Sequence, residues 1–177
     1  LIAVGGLSGS GKSRLAREIA PQLGAAPGAR VVRTDVMRKR LVGIDLFERL
    51  PPESYTPEAS RRTYEACFDE IRHALAIGRS VVFDAVSLRP EERAAVEDLA
   101  DEMNTPFLGL WADAPLAVRL ERVDARQANV SDAGADVAQA QEDLDLGELT
   151  WTVIDSSGAR RNTVAGALAV IRDRGLA

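Results

Sequence analysis

The sequence is poor in cysteine, histidine and lysine, and it carries no excess of positive charge. The single cysteine, Cys67, cannot form an internal disulfide, and with one histidine, His73, a cysteine–histidine zinc site is not available. This cysteine usage indicates the cytosol. Lysine plus arginine number 22 against 27 aspartate plus glutamate, which gives a net charge of −5. The chain therefore lacks the global basic field of non-specific nucleic-acid binders, although a local basic groove is compatible with this balance.

Long hydrophobic runs are absent as well. No apolar run approaches the roughly 18 to 20 residues that a membrane helix needs, and the chain does not open with a basic segment followed by an apolar stretch, as a signal peptide would. We expect a soluble, cytoplasmic protein with no membrane partner. The chain begins with Leu1 instead of methionine, which indicates a segment of a longer polypeptide. Its 177 residues, 46% hydrophobic, are typical of one compact domain with a sizeable core.

Short β-branched runs alternate with longer segments of helical period, which is the pattern of βαβ units in a parallel sheet. The longest predicted helix carries an apolar stripe from Tyr64 to Leu75 and ends before Gly78. The least regular segments are Val42–Thr56 and Asn129–Asp136, both just before helices. The predicted strands are Leu1–Gly5, Arg30–Arg33, Ser80–Asp84, Phe107–Trp111 and Thr152–Asp155, and the predicted helices include Lys12–Leu23, Pro57–Ile77, Pro90–Asn104, Pro115–Ala128 and Asn162–Arg174.

One motif is strong: GLSGSGKS matches the phosphate-loop pattern G-x-x-x-x-G-K-[ST] and lies between a predicted strand and a predicted helix. Glycines let backbone N–H groups converge on phosphate oxygens, and the following helix adds its positive N-terminal end. Lys12 supplies a mobile cation for the β and γ phosphates, and the Ser13 hydroxyl suits Mg²⁺. We predict that ATP is bound by Gly6, Ser8, Gly9, Ser10, Gly11, Lys12, Ser13 and Arg14.

A phosphate loop occurs in GTPases, in motors and in kinases, so further features must choose among them. GTPases usually carry N-K-x-D, which this sequence lacks. Motors of the AAA type add an arginine finger and a helical lid domain, for which 177 residues leave little room. Small kinases of the adenylate-kinase type remain. We therefore predict an α/β fold of the P-loop NTPase class, with three αβα layers, a five-stranded parallel sheet and a helical lid.

After the second strand, RTDVMRKR places Asp35 and Arg38 one helical turn apart, at the sheet edge where ligands bind in open α/β sheets. Asp35 can accept the proton of an attacking hydroxyl, while Arg38 holds the substrate. We expect Asp35 to be ionised at neutral pH with an ordinary pKa near 4. The alternative is that Asp35 is a helix N-cap and Arg38 a solvated charge.

The third strand ends in SVVFD, a hydrophobic run followed by Asp84, as in a Walker B carboxylate. Asp84 can hold a magnesium-bound water or contact the acceptor hydroxyl. The pattern by itself is weak, because strands often end in aspartate.

A stripe of arginines, Arg119, Arg122 and Arg126, follows the fourth strand at helical spacing. Arginines above the nucleotide can neutralise charge on the transferring phosphoryl group, and we assign this catalytic role to Arg122 and Arg126. The alternative is a solvated helix face paired with Glu121 and Asp124.

In this order and spacing, GLSGSGKS, TDVMRKR, VVFDA and RVDAR resemble the P-loop kinases described as predicted kinases with an AAA domain. The resemblance covers essentially the whole chain and is nearest to the zeta-toxin, chloramphenicol phosphotransferase and polynucleotide 5′-hydroxyl kinase group. It implies a Walker A pair at Lys12 and Ser13, a general base at Asp35, an acceptor-binding arginine at Arg38, and the R-x-x-x-R lid of polynucleotide kinases at Arg122 and Arg126.

The later part of the chain is similar to the predicted-kinase branch, in which the loop 156–160 would border the adenine. One branch of these kinases is fused behind an aminoglycoside-phosphotransferase-like domain, which would suit a chain that begins without methionine. The sequence also departs from polynucleotide kinases. Their D-x-T-N after the third strand is DAVS here, with Val86 and Ser87, which weakens a nucleic-acid acceptor.

We therefore predict a single kinase domain, residues 1–177, with a lid at about residues 115–136. It would use ATP and Mg²⁺ to phosphorylate a hydroxyl of a small-molecule acceptor, with Asp35, Arg38 and Asp84 facing that acceptor. Ser13 and Asp84 would hold the metal. A polynucleotide 5′-hydroxyl kinase and a non-catalytic ATP-binding regulatory module are the alternatives, and the net negative charge counts against the first.

Overall fold

The computed structural model describes residues 1–125, 131–132 and 134–176. Five parallel strands form one sheet in the order β2-β3-β1-β4-β5. The predicted three-layer α/β fold with a five-stranded parallel sheet is confirmed. The strands are β1 (Ile2–Gly5), β2 (Arg30–Arg33), β3 (Val81–Asp84), β4 (Leu108–Asp113) and β5 (Thr152–Asp155), and the helices of the described residues are α1 (Lys12–Ile19), α2 (Thr34–Val42), α3 (Pro57–Ala76), α4 (Pro90–Glu102), α5 (Leu116–Asp124), α6 (Ala135–Ala140) and α7 (Arg160–Asp173).

Helices cover both faces of the sheet because each face is apolar. On one face, Leu15 and Ile19 of α1 and Ile171 of α7 pack against Val4 and Leu110. Residues of α3 and α4 pack on the other face, where Tyr64, Phe68 and Phe83 meet edge to face at centroid distances of 5.8 to 6.0 Å. The predicted apolar stripe of the long helix is thus the stripe that the sheet buries, with Cys67 fully covered beneath it.

Parallel pairing brings the carboxyl ends of all five strands to one edge of the sheet. Arg33 pairs with Asp84 between β2 and β3, and Gly5 pairs with Trp111 between β1 and β4. The phosphate loop leaves β1 at this edge, and α2 begins there directly after β2. The motifs that are distant in the sequence therefore converge at one end of the sheet.

Strands β2 and β5 have the predicted bounds, and the ends of the other elements differ from the predicted ones by at most four residues. The first helix ends at Ile19 and continues as a 3₁₀ turn at Ala20–Gln22, because Pro21 has no N–H to extend the α-helical pattern. The helix predicted over Pro115–Ala128 spans Leu116–Asp124, and residues 126–128 lie outside the described part. Helix α6 was not among the predicted helices. None of the helices formed by the described residues combines the length and apolar character needed to cross a membrane.

Gly109 in β4 provides a test of the packing between the sheet and Trp151. A Cβ atom at this position would lie 2.3 Å from Cγ of the buried Trp151 ring. We expect Gly109→Ala to lower the free energy of unfolding by about 2 kcal/mol, because the ring must shift in a filled core. Gly166→Ala is the matched control. Its Cβ would meet nothing within 4 Å on helix α7, so it should stabilise the protein by about 0.5 kcal/mol. Denaturant unfolding of both variants measures the difference, and equal effects would contradict the packing described here.

Candidate functional site

The phosphate loop, residues 6–13, turns tightly between β1 and α1. Gly9 has a φ of 87°, and a Cβ atom there would lie 2.5 Å from the carbonyl oxygen of Arg119. Only glycine fits this position, because α5 packs directly on the backbone of the loop. Helix α1 begins at Lys12, so its N-terminal N–H groups point toward the space that the loop encloses.

Neighbouring segments hold the loop in place from two sides. The buried N–H of Ser8 donates to Oε1 of Gln141 at 2.8 Å, and the Ser156 hydroxyl donates to the carbonyl oxygen of Ser10 at 2.7 Å. Because the N–H of Ser8 is bonded to Gln141, this residue anchors the loop to the segment after α6. The buried hydroxyl oxygen of Ser10 has no hydrogen-bond partner among the described residues, which fits a polar ligand at the loop.

A cavity of about 780 Å³ opens over the phosphate loop. Such a volume suits a ligand the size of a nucleotide. The loop and α1 form its floor, and the charged side chains on its walls are mostly basic. Residues of the cavity wall include Lys12, Ser13, Arg14, Arg33, Phe47, Arg122, Ser131 and Ser156.

Asp84 connects the phosphate loop to the neighbouring strand β2. The Ser13 hydroxyl donates to Oδ1 of Asp84 at 3.1 Å, and Nε of Arg33 donates to Oδ2 at 2.8 Å. The Asp84 side chain is 3% exposed, so this pairing satisfies a carboxylate that would otherwise be buried and uncompensated. A hydroxyl and a carboxylate side by side are oxygen ligands of the kind that Mg²⁺ prefers.

The described residues contain no group of three or more histidine, cysteine, aspartate or glutamate side chains arranged to hold a metal ion. Ser13 and Asp84 would therefore hold a metal here through few protein ligands. This is the usual way in which Mg²⁺ is bound in phosphoryl-transfer sites, so the residues present fit the predicted metal.

Asp35 lies in the first turn of α2, close enough to Lys12, Asp84 and Arg33 for their charges to act on its carboxylate. Burial is the largest effect and raises the pKa of Asp35 above its usual range, although Lys12, Arg33 and a hydrogen bond from Ser131 oppose it. The expectation of an ordinary pKa near 4 is therefore wrong. The alternative of Asp35 as helix N-cap is also wrong, because the N-cap residue is Arg33.

Arg38, one turn further along α2, points to the segment before the long helix. Its Nη1 donates to the carbonyl oxygen of Ser54 at 2.7 Å and to the Ser60 hydroxyl at 3.4 Å. The guanidinium carbon lies 5.1 Å from the centre of the Tyr55 ring. Arg38 is therefore not a freely solvated charge, and it orders the segment before the long helix.

The three arginines of the predicted lid have different surroundings. Arg122 lines the cavity, and its guanidinium donates to the carbonyl oxygens of Ser156 at 2.7 Å and Ser10 at 3.5 Å. Arg119 is 1% exposed, bonds to three backbone carbonyls and forms an ion pair with Glu142, so it holds α5 and α6 together. Arg126 lies outside the described residues, and its predicted role remains a prediction.

Lys39 has a structural role that was not among the predictions from the sequence. This side chain is completely buried, and its ammonium group bonds to the carbonyl oxygens of Leu46 and Glu48 and to Oδ1 of Asp132. The sequence offered one signal: the chain has two lysines, and both lie inside motifs. The partners of Lys39 come from segments without a motif, so only the folded chain shows them.

Comparisons with known proteins identify the family of the chain. A family model described as "AAA domain" matches residues 1–145. The uncharacterized protein Rv2004c of Mycobacterium tuberculosis is 32% identical over 180 residues, which cover 97% of this chain and 34% of that protein. The chain thus spans about a third of the length of the curated relatives it matches.

Solved structures are similar over almost the whole chain. A gluconokinase from Sinorhizobium meliloti 1021 has a TM-score of 0.59 at 21% identity, covering 98% of this chain and 94% of that one. A sugar kinase from Janibacter sp. HTCC2649 has a TM-score of 0.67 at 20% identity, covering 97% and 93%. At these identities the likeness establishes the fold.

The raised pKa of Asp35 predicts a pH-dependent stability difference. The folded pKa lies above the unfolded one, so ionisation of Asp35 destabilises the fold at neutral pH, and this cost disappears as the pH falls through the folded pKa. We expect Asp35→Asn to melt above the parent at about pH 8 and to lose this advantage at about pH 4. Thermal denaturation at both pH values measures this. Asp98→Asn, an exposed change on α4, is the control, and a similar pH profile for the two variants would contradict the prediction.

Proposed function

The chain belongs to the AAA domain family and has the fold of P-loop kinases, and we propose that it is an ATP- and Mg²⁺-dependent phosphotransferase whose acceptor is a hydroxyl of a small molecule. One observation carries this proposal. The carboxylate of Asp35 lies within electrostatic reach of Lys12 and Asp84, at the edge of the sheet from which the phosphate loop emerges. A predicted base thus stands beside the predicted phosphate site.

Lys12, the backbone of the phosphate loop and the N-terminus of α1 would hold the phosphates of ATP. Arg122 lines the same cavity, where it can offset negative charge on the transferring group. Ser13 and Asp84 would hold Mg²⁺, which would supply positive charge to neutralise the phosphates. Arg33 balances the charge of Asp84 and orients its carboxylate.

Asp35 would act as the general base of the transfer. Its carboxylate accepts the proton of the acceptor hydroxyl while the hydroxyl oxygen forms a bond to the γ phosphorus. The bond between that phosphorus and the bridging oxygen breaks, and ADP leaves with the electron pair. Burial, which raises the pKa of Asp35, also makes the carboxylate a better base for this proton.

Two lines of support favour a small acceptor. The structures of similar fold include a gluconokinase and a sugar kinase, whose names indicate small polyhydroxyl substrates. The net charge of −5 and the DAVS sequence after β3 both count against a polynucleotide. Residues 1–177 would form one kinase domain with the lid at about residues 115–136. A fused aminoglycoside-phosphotransferase-like domain stays a prediction.

A non-catalytic ATP-binding module is the second candidate. It is favoured by the length of the curated relatives, of which this chain matches about a third, because a nucleotide-binding segment can regulate its neighbour in a longer protein. The intact arrangement around Asp35 favours the kinase, since a regulatory module has no use for a base beside the phosphate site.

Lys12→Met tests the nucleotide site. The variant keeps the apolar stem of this largely buried side chain and removes the cation. We expect phosphoryl transfer to fall by about a hundredfold or more, because the β and γ phosphates lose their counter-charge. The assay follows ADP release and radiolabel transfer from γ-labelled ATP to a panel of small polyhydroxyl compounds. Arg172→Met, which removes an exposed cation on α7, should match the parent. Near-normal turnover by Lys12→Met would contradict the phosphate-loop assignment.

Asp35→Asn separates transfer from nucleotide binding. We expect this variant to bind ATP about as well as the parent and to lose about a hundredfold in transfer to a hydroxyl acceptor, because the proton has no base to receive it. Slow hydrolysis of ATP by water should fall much less. Calorimetric titration with ATP and the transfer assay measure the two effects. If the parent transfers phosphate to no hydroxyl compound and Asp35→Asn changes nothing, the regulatory module is the better account.

A further inference from the structure

Phe47 places an apolar ring in the wall of the cavity over the phosphate loop. The residue lies in the irregular segment between α2 and α3, and 64% of its surface is exposed. Elsewhere the cavity wall is rich in cationic side chains such as Arg33 and Arg122. An exposed aromatic ring in a polar cavity contributes binding free energy when a ligand with an apolar face covers it and removes its surface from water.

Lys39 fixes the backbone on both sides of this ring. Its Nζ donates to the carbonyl oxygen of Leu46 at 3.1 Å and to that of Glu48 at 2.7 Å, the residues that flank Phe47. Because the ammonium group is completely buried, the segment cannot move away without leaving an uncompensated charge in the interior. The buried charge of Lys39 therefore holds the backbone so that the Phe47 ring stays exposed.

Asp132 completes this arrangement from a distant part of the chain. Its Oδ1 lies 3.1 Å from Nζ of Lys39, and its Oδ2 accepts the N–H of Leu50 at 3.1 Å and the hydroxyl of Tyr55 at 2.7 Å. Burial raises the pKa of Asp132, but these hydrogen bonds outweigh it and leave the pKa below its usual value. The carboxylate is thus ionised at neutral pH. Ser131, the preceding residue, bonds to Asp35. The two adjacent residues therefore contact both Lys39, which holds the backbone around Phe47, and the predicted base.

We propose that Phe47 is a specificity-determining residue that packs against the acceptor substrate, and that Lys39 is the residue that positions it. The inference rests on the proposed function, since it concerns the acceptor of that reaction. It names a class of acceptor: a hydroxyl compound with a flat apolar face, which is the face of an aromatic ring or the C–H face of a sugar ring. An open chain without such a face would gain little from the ring.

Binding of simple probes tests the contact without any turnover. Saturation-transfer NMR would compare phenol, methyl β-D-glucoside and glycerol, which represent an aromatic face, a sugar face and neither. We expect at least one ring probe to bind the parent and Phe47→Tyr, and to bind Phe47→Ser about tenfold more weakly. Ile77→Ser, at another exposed apolar residue, should behave as the parent. The proposal fails if the ring probes bind Phe47→Ser as well as the parent, or if neither binds the parent. Binding of phenol would indicate an aromatic acceptor, and binding of methyl β-D-glucoside would indicate a sugar.

Kinetics separates this inference from the kinase proposal. With any acceptor found in the transfer assay, Phe47→Ser should raise the KM for that acceptor about tenfold while kcat and the KM for ATP stay near the parent values. Unchanged acceptor KM would refute the inference and leave the kinase function standing. Phe47-dependent probe binding without phosphate transfer would refute the kinase function and leave the contact standing.

Hydrogen exchange tests the role of Lys39. Lys39→Met should increase exchange of the amides in residues 44–50 and raise the same acceptor KM, whereas Arg40→Met, which removes the adjacent exposed cation, should do neither. Asp132→Asn is the second variant, because it removes the charge of Asp132 while keeping the shape of the side chain. It tests the positioning role of Lys39 if Lys39→Met does not fold. Parent-like exchange and KM in a folded variant would overturn the positioning role.

Discussion

The site depends on the pairing of the buried Asp84 carboxylate with two partners. The carboxylate receives the hydroxyl of Ser13 from the phosphate loop and the guanidinium of Arg33 from the end of β2. A buried carboxylate must be paired, and here the partners come from the two chain segments that flank it in space. The pairing fixes the phosphate loop relative to β2, and α2, which begins at the next residue, carries Asp35 and Arg38 into the same edge of the sheet.

The geometry of the sheet explains why one carboxylate can have this effect. In a parallel sheet every strand ends at the same edge, so β1, β2 and β3 deliver the loop, the arginine and the aspartate together. Repulsion between Asp35 and Asp84 adds to burial in raising the pKa of Asp35, and Lys12 opposes both effects. The proposed base therefore has a raised pKa although a cation, Lys12, acts on it.

A second set of buried charges supports Phe47, which lies in the cavity wall. Lys39 and Asp132 form an ion pair that orders the segment carrying Phe47, and Asp132 also binds Tyr55. Arg38 adds a contact over the Tyr55 ring. The wall thus consists of an irregular segment that has little secondary structure of its own and is held by polar contacts. Such segments can vary between related proteins without disturbing the sheet, which suits a wall that selects the acceptor.

The sequence by itself determined the fold class, the five strands, the position of the phosphate loop and the convergence of Lys12, Asp35 and Asp84. Alternation of strands and helices along the chain is a local pattern, and it predicts a parallel sheet whose strands end at one edge. Only the tertiary structure decided that Arg119 is a buried support, that Lys39 pairs with Asp132 and that burial raises the pKa of Asp35. These properties depend on what surrounds a side chain. Burial and pairing partners come from segments up to 111 residues away in the chain, and no local pattern encodes such distances.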